Sequence, residues 1–387
     1  MIEMTTEVRR PAAHDRAAGR FTGQSSLRFR PDIEGLRGLA VAAVVLFHVG
    51  VPGLGGGYIG GDVFFVISGF LITSLMLREV AATGGFSLLR FYGRRARRIL
   101  PAATVVLVAV LPAGYHWLGF LRGEEIAGDT RWAALFASNF NFAAQGVDYL
   151  ASQAAPSPLQ HLWSLAVEEQ FYLVWPALLA LLLWLGLRHA TPLVIALGVA
   201  ASLACSLWQT GSTWSYFSPA TRAWELGAGC LLALAADRLD RIPPPLATAL
   251  AGVGLAGIVV AALSFDSTTP FPGYAAALPV LGTVLVLAGR GDALLAARPL
   301  RWLGRISYSL YLWHWPLLML AEQAYGPLSG RARGGLLLLS VALAAITYAC
   351  VENPIRRLRH PALTAALVAL LIAAPLALAA AWSVHPG

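Results

Sequence analysis

The sequence predicts an all-α protein that crosses a membrane about eleven times. Of its 387 residues, 57% are hydrophobic and 12% are charged, against roughly 25% charged residues in an average soluble domain. The mean hydropathy of +0.65 points to lipid as the surroundings of most side chains. The apolar stretches are long and rich in Leu, Ala and Val, which favours helices over a β-barrel. A soluble enzyme, a coiled coil and a disordered chain are excluded.

Eleven stretches bounded by Gly, Pro or Arg come close to the roughly 20 residues that cross a bilayer. The predicted spans are 36–51, 62–79, 99–119, 162–186, 192–208, 219–236, 246–264, 274–289, 306–323, 335–351 and 362–382. Residues 1–30 have no apolar run and are expected to form a disordered, Arg-rich cytoplasmic tail. The main transmembrane domain is placed at 31–359. An extra transmembrane helix within 360–387 is expected to end outside.

The basic residues set the orientation of these spans. All 28 of them are arginine, and a cytoplasmic N-terminus with an external C-terminus places 23 of the 28 on the inner side. Cytoplasmic loops of membrane proteins carry such an excess. The net charge of +8 is therefore read as the basic excess of cytoplasmic loops and not as a sign of nucleic-acid binding. The expected location is the cell (inner) membrane, as a multi-pass protein in contact with lipid.

The first two spans contain ionisable residues that are costly in a membrane, at roughly 2.5 to 3.5 kcal/mol each near the bilayer centre. Arg37 and His48 lie eleven residues apart. At about 100° and 1.5 Å per residue they share one face and are separated by roughly 16 Å along the helix, so both could line one cavity. Asp62 lies at the outer mouth of the second span. Taken singly, these residues are also explained as an interfacial anchor, an interhelical hydrogen-bonder and a helix cap.

The fourth span contains a row of polar residues on one helical face. His161, Ser164, Glu168 and Tyr172 are separated by three, four and four residues, the spacing of side chains that lie above one another on a helix. Glu169 adds a second carboxylate. Two adjacent carboxylates in an apolar helix call for a base, a cation or a substrate hydroxyl as partner.

A cluster of four arginines follows the second span, in the predicted internal loop 91–102: Arg94, Arg95, Arg97 and Arg98. Such a cluster anchors a protein to anionic lipid, and planar guanidinium groups also bind phosphate bidentately. Later, His314 lies among aromatic residues of the ninth span. No set of residues has metal-ligand spacing, and no metal site is expected.

These motifs together resemble the membrane acyltransferase-3 family, which includes O-antigen and other cell-envelope O-acetylases. The resemblance runs from about residue 29 to residue 359. The matching motifs are the Arg37–His48 pair, GGDVFFVISGF at 60–70, RRxxRIxP at 94–101, HxWSLxxEEQFY at 161–172, TRAWELGAG at 221–229, YSLYLWHWP at 308–316 and ENPIRR at 352–357.

The resemblance implies transfer of an acyl group, most often acetyl from cytoplasmic acetyl-CoA, to a hydroxyl of a sugar or glycan-like acceptor. A thioester is already activated, so the protein must hold the donor and deprotonate or orient the alcohol. His48 is the expected general base, oriented by a carboxylate, although a covalent acyl-histidine stays open. The expected catalytic residues are His48, Arg37, Asp62, Glu168 and Glu169; the expected donor-binding residues are Arg37, Arg94, Arg95 and Arg98; and the expected acceptor-binding residues are His161, Trp163, Ser164, Tyr172 and His314.

A different class of function uses the same residues. A transporter or flippase of an anionic or glycolipid substrate would combine the arginines with a Glu/His proton relay. A requirement for acyl-CoA distinguishes the enzyme from the transporter. Many members of the family continue into an SGNH hydrolase-like domain after an eleventh span, which is not expected in this chain. The acceptor, the acyl chain length and the oligomeric state stay open.

Overall fold

A computed structural model of the chain describes residues 30–146, 155–291, 295–358 and 361–384. Across these ranges the backbone is mainly helical and contains no strand. The helices are α1 Pro31–Val49, α2 Gly60–Thr83, α3 Leu88–Leu118, α4 Phe120–Ala134, α5 Ser138–Ala144, α6 Leu162–Trp184, α7 Thr191–Trp208, α8 Thr213–Phe217, α9 Pro219–Leu234, α10 Ala236–Leu239, α11 Pro244–Ser264, α12 Ala277–Gly289, α13 Arg298–Tyr325, α14 Gly330–Thr347, α15 Asn353–Arg356 and α16 Pro361–Val384. A 3₁₀ turn precedes α2 and a π-helical turn precedes α15. The predicted tail lies outside the described residues, except Arg30.

The protein is a multi-pass membrane protein. Seven helical segments, containing α2, α3, α6, α7, α11, α14 and α16, are long and apolar enough to cross a bilayer. Four more predicted spans coincide with α1, α9, α12 and α13. Of these, α9 and α12 are short, with 16 and 13 residues, and α1 and α13 carry charged or polar aromatic residues. The count of eleven spans and the orientation of the termini stay predictions.

Two helices extend well beyond their predicted limits into arginine-rich sequence. The segment 91–102, predicted as an internal loop, belongs to α3, which begins at Leu88. Ser87 caps this helix by accepting a hydrogen bond from the amide of Arg90 at 3.4 Å. The helix α13 begins at Arg298, eight residues before the predicted start. Hydropathy marks only the part of a helix that lipid surrounds, whereas arginine is a good helix former in water as well.

Glycines allow α1 and α13 to pack backbone against backbone. A Cβ atom added at Gly38 would overlap the carbonyl oxygen of Leu300, and one added at Gly304 would overlap that of Glu34. Small residues are the usual means of close helix contact in membranes. This contact holds the face of α1 that carries Arg37 against α13.

The helices α2 and α9 approach each other in the same way. A Cβ atom at Gly69 would overlap the carbonyl oxygen of Leu226, and one at Gly229 would overlap that of Val66. The largest hydrophobic cluster of the described residues surrounds this contact and includes side chains of α1, α2, α6, α9, α11 and α12. This close contact places polar residues of α2 and α9 opposite each other in the core.

The last helix packs on the body of the protein. Thr104 of α3 donates a hydrogen bond to the carbonyl oxygen of Leu371 at 2.7 Å, and Arg131 of α4 donates to that of Ala379 at 3.1 Å. Ala379 is fully buried in a second cluster, formed with α3, α4, α6 and α13. The helix α16, set apart as an extra element in the sequence, therefore packs directly on α3 and α4.

Candidate active site

A cavity of about 1140 Å³ lies among α1, α2, α3, α6 and α13. This exceeds the range of about 300 to 1000 Å³ that is usual for small-ligand pockets. Eight arginines line it: Arg30, Arg37, Arg78, Arg94, Arg95, Arg98, Arg290 and Arg356. Serine and tyrosine hydroxyls and five carboxylates also line it: Glu34, Glu79, Glu168, Asp237 and Asp240. Eight guanidinium groups against five carboxylates leave an excess of positive charge, which suits a large anionic ligand.

The four clustered arginines of α3 have four different environments. Arg94 pairs with Glu79 at 2.9 Å, Arg95 pairs with Glu169 at 2.7 Å, and Arg97 donates to the hydroxyl of Thr364 at 2.6 Å. Within the described ranges, the remaining residue forms neither a hydrogen bond nor an ion pair. That residue, Arg98, lines the cavity and is half-buried. The four are therefore not interchangeable.

Arg37 is the second cavity arginine without a carboxylate partner. Its Nη2 donates to the hydroxyl of Ser307 on α13 at 2.8 Å, and in the described part of the chain no carboxylate oxygen lies within 4.0 Å of its guanidinium. Ser307 precedes His314 by seven residues, or about two turns. Arg37 and His48 thus lie on one side of α1 and both contact α13, in agreement with their predicted common face. Of the two, Arg37 lines the cavity and His48 does not.

The two carboxylates of α6 bind neighbouring groups and do not orient His48. The Oε1 atom of Glu168 accepts hydrogen bonds from Ser68, at 2.6 Å, and from Tyr172. Glu169 holds Arg95, whose guanidinium carbon lies 3.8 Å from the centre of the Tyr172 ring. The expectation that one of these carboxylates orients the imidazole is wrong, because their side chains face α2 and α3 instead.

The partner of His48 is another histidine. The Nδ1 atom of His48 lies 3.0 Å from Nε2 of His314 on α13, and the two rings are stacked with their centres 5.2 Å apart. The Nδ1 atom of His314 contacts the carbonyl oxygens of Tyr311, at 2.7 Å, and Leu310, at 3.2 Å. The ring of Trp315 packs edge-on against His48 with a centre distance of 4.6 Å. His314, predicted to bind the acceptor, therefore contacts the expected base directly.

Tyr311 connects the cavity with the histidines. It lines the cavity, its hydroxyl lies 2.8 Å from that of Ser164, and it donates to the carbonyl oxygen of His161 at 2.7 Å. Its ring centre lies 5.4 Å from that of His314 and 5.3 Å from that of His161. His161 is fully buried, and neither of its ring nitrogens has a hydrogen-bond partner in the described chain.

Two predicted site residues lie elsewhere, in a closed ionic cluster. Asp62 pairs with Arg222 at 2.9 Å, and Glu225 lies 3.2 Å from the same guanidinium. Trp163 packs on this arginine at 5.7 Å, together with three other aromatic rings. All three charged residues are at most 1% exposed. Asp62 is therefore held by Arg222, and Trp163 is a core residue rather than part of an acceptor surface.

Three residues of this arrangement were given no role in the site by sequence reasoning, although two of them lie within the matching motifs: Ser307, Tyr311 and Arg222. The first two belong to the same helix as His314, at spacings of seven and three residues. A search for polar residues on the His314 face of that span would have found them. Arg222 occurs within an apolar stretch, and a charge there is itself a signal.

The comparisons with known proteins agree with this architecture. The sequence model of the acyltransferase-3 family, described as an acyltransferase domain, matches residues 30–382. The chain belongs to this family. The matched region of this acyltransferase-3 protein includes the cavity, the histidine pair and α16.

The chain is similar to several curated proteins. It is 33% identical over 363 residues to the peptidoglycan O-acetyltransferase OatA of Listeria monocytogenes, covering 87% of this chain and 57% of that protein. It is 32% identical to the O-acetyltransferase OatA of Staphylococcus aureus, covering 86% of this chain and 58% of the relative. A provisionally named membrane-bound transacylase, BcsY of Komagataeibacter xylinus, is 35% identical, with 91% and 90% covered.

The acyltransferase-3 chain thus spans little more than half the length of the OatA proteins and nearly all of BcsY. No solved structure matches it. Among the described residues, no group of three or more His, Cys, Asp or Glu side chains is placed to hold a metal ion. The polar groups of the site are instead guanidinium, imidazole, hydroxyl and carboxylate groups.

Proposed function

We propose that this protein is an O-acyltransferase of the cell (inner) membrane, which moves an acetyl group from cytoplasmic acetyl-CoA to a hydroxyl of a cell-envelope glycan. The observation that carries the proposal is one large cavity whose wall combines unpaired arginines with a tyrosine that contacts a histidine pair. The OatA relative of Listeria monocytogenes is named a peptidoglycan O-acetyltransferase, which makes a peptidoglycan hydroxyl the first acceptor to test.

We assign the donor phosphates to Arg37 and Arg98, the two half-buried cavity arginines that form no ion pair with a described carboxylate. Phosphate groups attract guanidinium groups whose charge is not already neutralised, and Arg37 and Arg98 are such groups in the cavity wall. Arg95, also predicted to bind the donor, is engaged by Glu169. We assign it to shaping the wall, together with Glu168 and Tyr172.

The contacts of the histidine pair support His48 as the base. A carbonyl oxygen only accepts, so Nδ1 of His314 carries a proton and donates to Tyr311. The Nε2 atom of a neutral His314 then accepts, and Nδ1 of His48 donates to it. A neutral His48 in this tautomer has its lone pair on Nε2. This atom is the general base, and His314 is a positioning residue that holds the tautomer, as a carboxylate does in other sites.

The proposed chemical step consists of a proton transfer and an acyl transfer and involves no change of oxidation state. The Nε2 atom of His48 takes the hydroxyl proton as the acceptor oxygen bonds to the thioester carbonyl carbon. The carbon–sulfur bond then breaks, and the thiolate of CoA receives that proton from His48. The products are the O-acetyl ester and CoA. In the covalent alternative, Nε2 of His48 first bonds to the acetyl carbon as the carbon–sulfur bond breaks and CoA leaves as a thiolate. The acceptor oxygen then displaces the imidazole from the acetyl carbon, and the hydroxyl proton passes to the CoA thiolate.

The proposal is tested by supplying purified protein in lipid vesicles with radiolabelled acetyl-CoA and peptidoglycan fragments. We expect label on the glycan as an alkali-labile ester, and none with the His48→Ala variant. If the folded protein transfers no acetyl group from acetyl-CoA but moves unmodified glycan or lipid across the vesicle membrane, the proposal is wrong and the transporter hypothesis replaces it.

A further inference from the structure

One arginine at the mouth of the cavity, Arg78, differs from the neighbouring arginines in its contacts. Arg78 lies near the inner end of α2, lines the cavity and is exposed. In the portions of the chain that the structure describes, it forms no hydrogen bond and no ion pair. Since it lies on the cavity wall, Arg78 presents its charge to whatever enters.

The other arginines around the mouth are neutralised or lie beside a carboxylate. Arg30 pairs with Asp32 at 2.5 Å, and Arg290 pairs with Asp240. Arg356 follows Glu352 by four residues, one helical turn.

Arg78, in contrast, forms no ion pair with a described carboxylate, and its charged neighbour is Arg30, which is itself paired with Asp32. The guanidinium of Arg78 is therefore a cation at this mouth with which an incoming anion can pair.

The unpaired arginines occupy two levels of the cavity. Ser68, which donates to Glu168 beside Arg95, lies ten residues before Arg78 on α2, or about 15 Å along the helix axis. Arg37 and Arg98 are half-buried, whereas Arg78 is exposed. The cavity thus offers one inner pair of cations and one cation nearer its mouth.

Coenzyme A carries phosphate at two separate places as well. A pyrophosphate joins the pantetheine arm to the nucleotide, and a further phosphate is attached to the ribose 3′ position. Arg37 lies roughly 16 Å from His48 along α1. With the pyrophosphate bound at Arg37 and Arg98, the pantetheine arm spans the distance to the histidines. The nucleotide then extends toward the mouth.

We propose that Arg78 binds the ribose 3′-phosphate of the donor and makes the enzyme prefer acyl-CoA over acyl-phosphopantetheine donors that lack this phosphate. The assignment rests on the proposed function, because it presupposes an acyl-CoA donor. The assignment goes beyond the proposed function by naming a specificity residue and the part of the donor that this residue recognises.

The test compares acetyl-CoA with acetyl-dephospho-CoA, which lacks only the 3′-phosphate. The wild-type KM is expected to be about tenfold higher for the dephospho compound, which equals about 1.4 kcal/mol. The Arg78→Gln variant raises the KM for acetyl-CoA about tenfold and leaves that for the dephospho compound and both kcat values unchanged. The matched control is Arg290→Gln, at the same mouth but already paired, which keeps the preference of the wild type.

Two results overturn the assignment while leaving the proposed function intact: equal wild-type KM values for the two thioesters, or an equal KM increase for both in Arg78→Gln. The first needs no variant, so it does not depend on the folding of a mutant. If folded wild-type protein turns over neither thioester, the proposed function fails and the assignment of Arg78 fails with it.

Discussion

Arginine serves two opposite purposes in this protein. Arg222 is 1% exposed and lies between Asp62 and Glu225, at 2.9 and 3.2 Å. Four aromatic rings surround it, with centres 5.3 to 5.7 Å away. Arg37 and Arg98 line a cavity of about 1140 Å³ and have no carboxylate partner among the described residues. The first arginine is paired with carboxylates of the protein, whereas the other two have no such partner among the described residues.

Whether an arginine has a carboxylate partner in the protein distinguishes structural arginines from ligand-binding ones better than the presence of the charge alone. An ion in a membrane interior is tolerated when its partners compensate for its lost hydration. Arg222 has such partners within the chain, so its charge links α2 to α9. Arg37 and Arg98 form no ion pair with a carboxylate of the described residues, and we propose that a bound donor supplies their anionic partner. We therefore expect variants of the first site to lose the fold and variants of the second to lose the ligand.

The largest effect is expected for Arg222→Ala. It leaves two buried carboxylates without a cation, and breaking a buried pair in this way costs about 3 to 5 kcal/mol. Size-exclusion chromatography and thermal unfolding of detergent-solubilised protein will show loss of the folded form. The matched variant Arg98→Ala keeps the wild-type unfolding temperature. If Arg222→Ala is as stable as the wild type, the closed cluster is not structural and the comparison fails.

The next effect concerns the chemical step. His48→Ala removes the proposed base, and loss of such a group typically lowers kcat by a factor of 10² to 10⁴. We expect about 10³ here, with normal unfolding temperature and normal acetyl-CoA binding, measured on the purified variant. Near wild-type turnover by a folded His48→Ala protein would remove this residue from the mechanism.

A smaller loss is expected for the positioning residue. His314→Ala removes the acceptor at Nε2 that holds the tautomer of His48, and we expect kcat to fall by about 10². Glutamine places a carbonyl oxygen near the former Nε2 position, so His314→Gln should retain more activity than His314→Ala. Equal activity of the two variants would contradict a role through this hydrogen bond.

The smallest of these effects is expected for Arg37→Lys. Lysine keeps the charge but lacks the planar fork that binds phosphate bidentately. We expect the KM for acetyl-CoA to rise about tenfold with kcat preserved, since binding is lost equally in the ground and transition states. An unchanged KM would reduce Arg37 to a simple positive charge, comparable with an interfacial anchor.

Spacing within one helix predicted much of the site. The eleven-residue separation of Arg37 and His48 placed both on one face, and both contact α13. The membrane helices themselves follow from long apolar stretches. The start of α3 does not follow from hydropathy, because hydropathy does not indicate where a helix continues into polar sequence.

Contacts between helices could not be predicted in the same way. Nothing in the order of residues indicates that Glu169 meets Arg95 rather than His48, or that Asp62 meets Arg222. These pairs depend on which helices are neighbours and on the glycines that set their separation. With one sequence, the candidates for a polar partner are too many for spacing to decide among them.

The central claim is that a missing charge partner identifies the donor-binding arginines. It is tested most directly by the dissociation constant of CoA, measured by titration calorimetry on purified Arg98→Gln and Arg94→Gln. Both arginines belong to α3 and line the cavity, but Arg94 is paired with Glu79 at 2.9 Å, whereas Arg98 forms no hydrogen bond or ion pair with any described residue. We predict about tenfold weaker binding for Arg98→Gln and wild-type binding for Arg94→Gln. Equal weakening in both variants would contradict the claim.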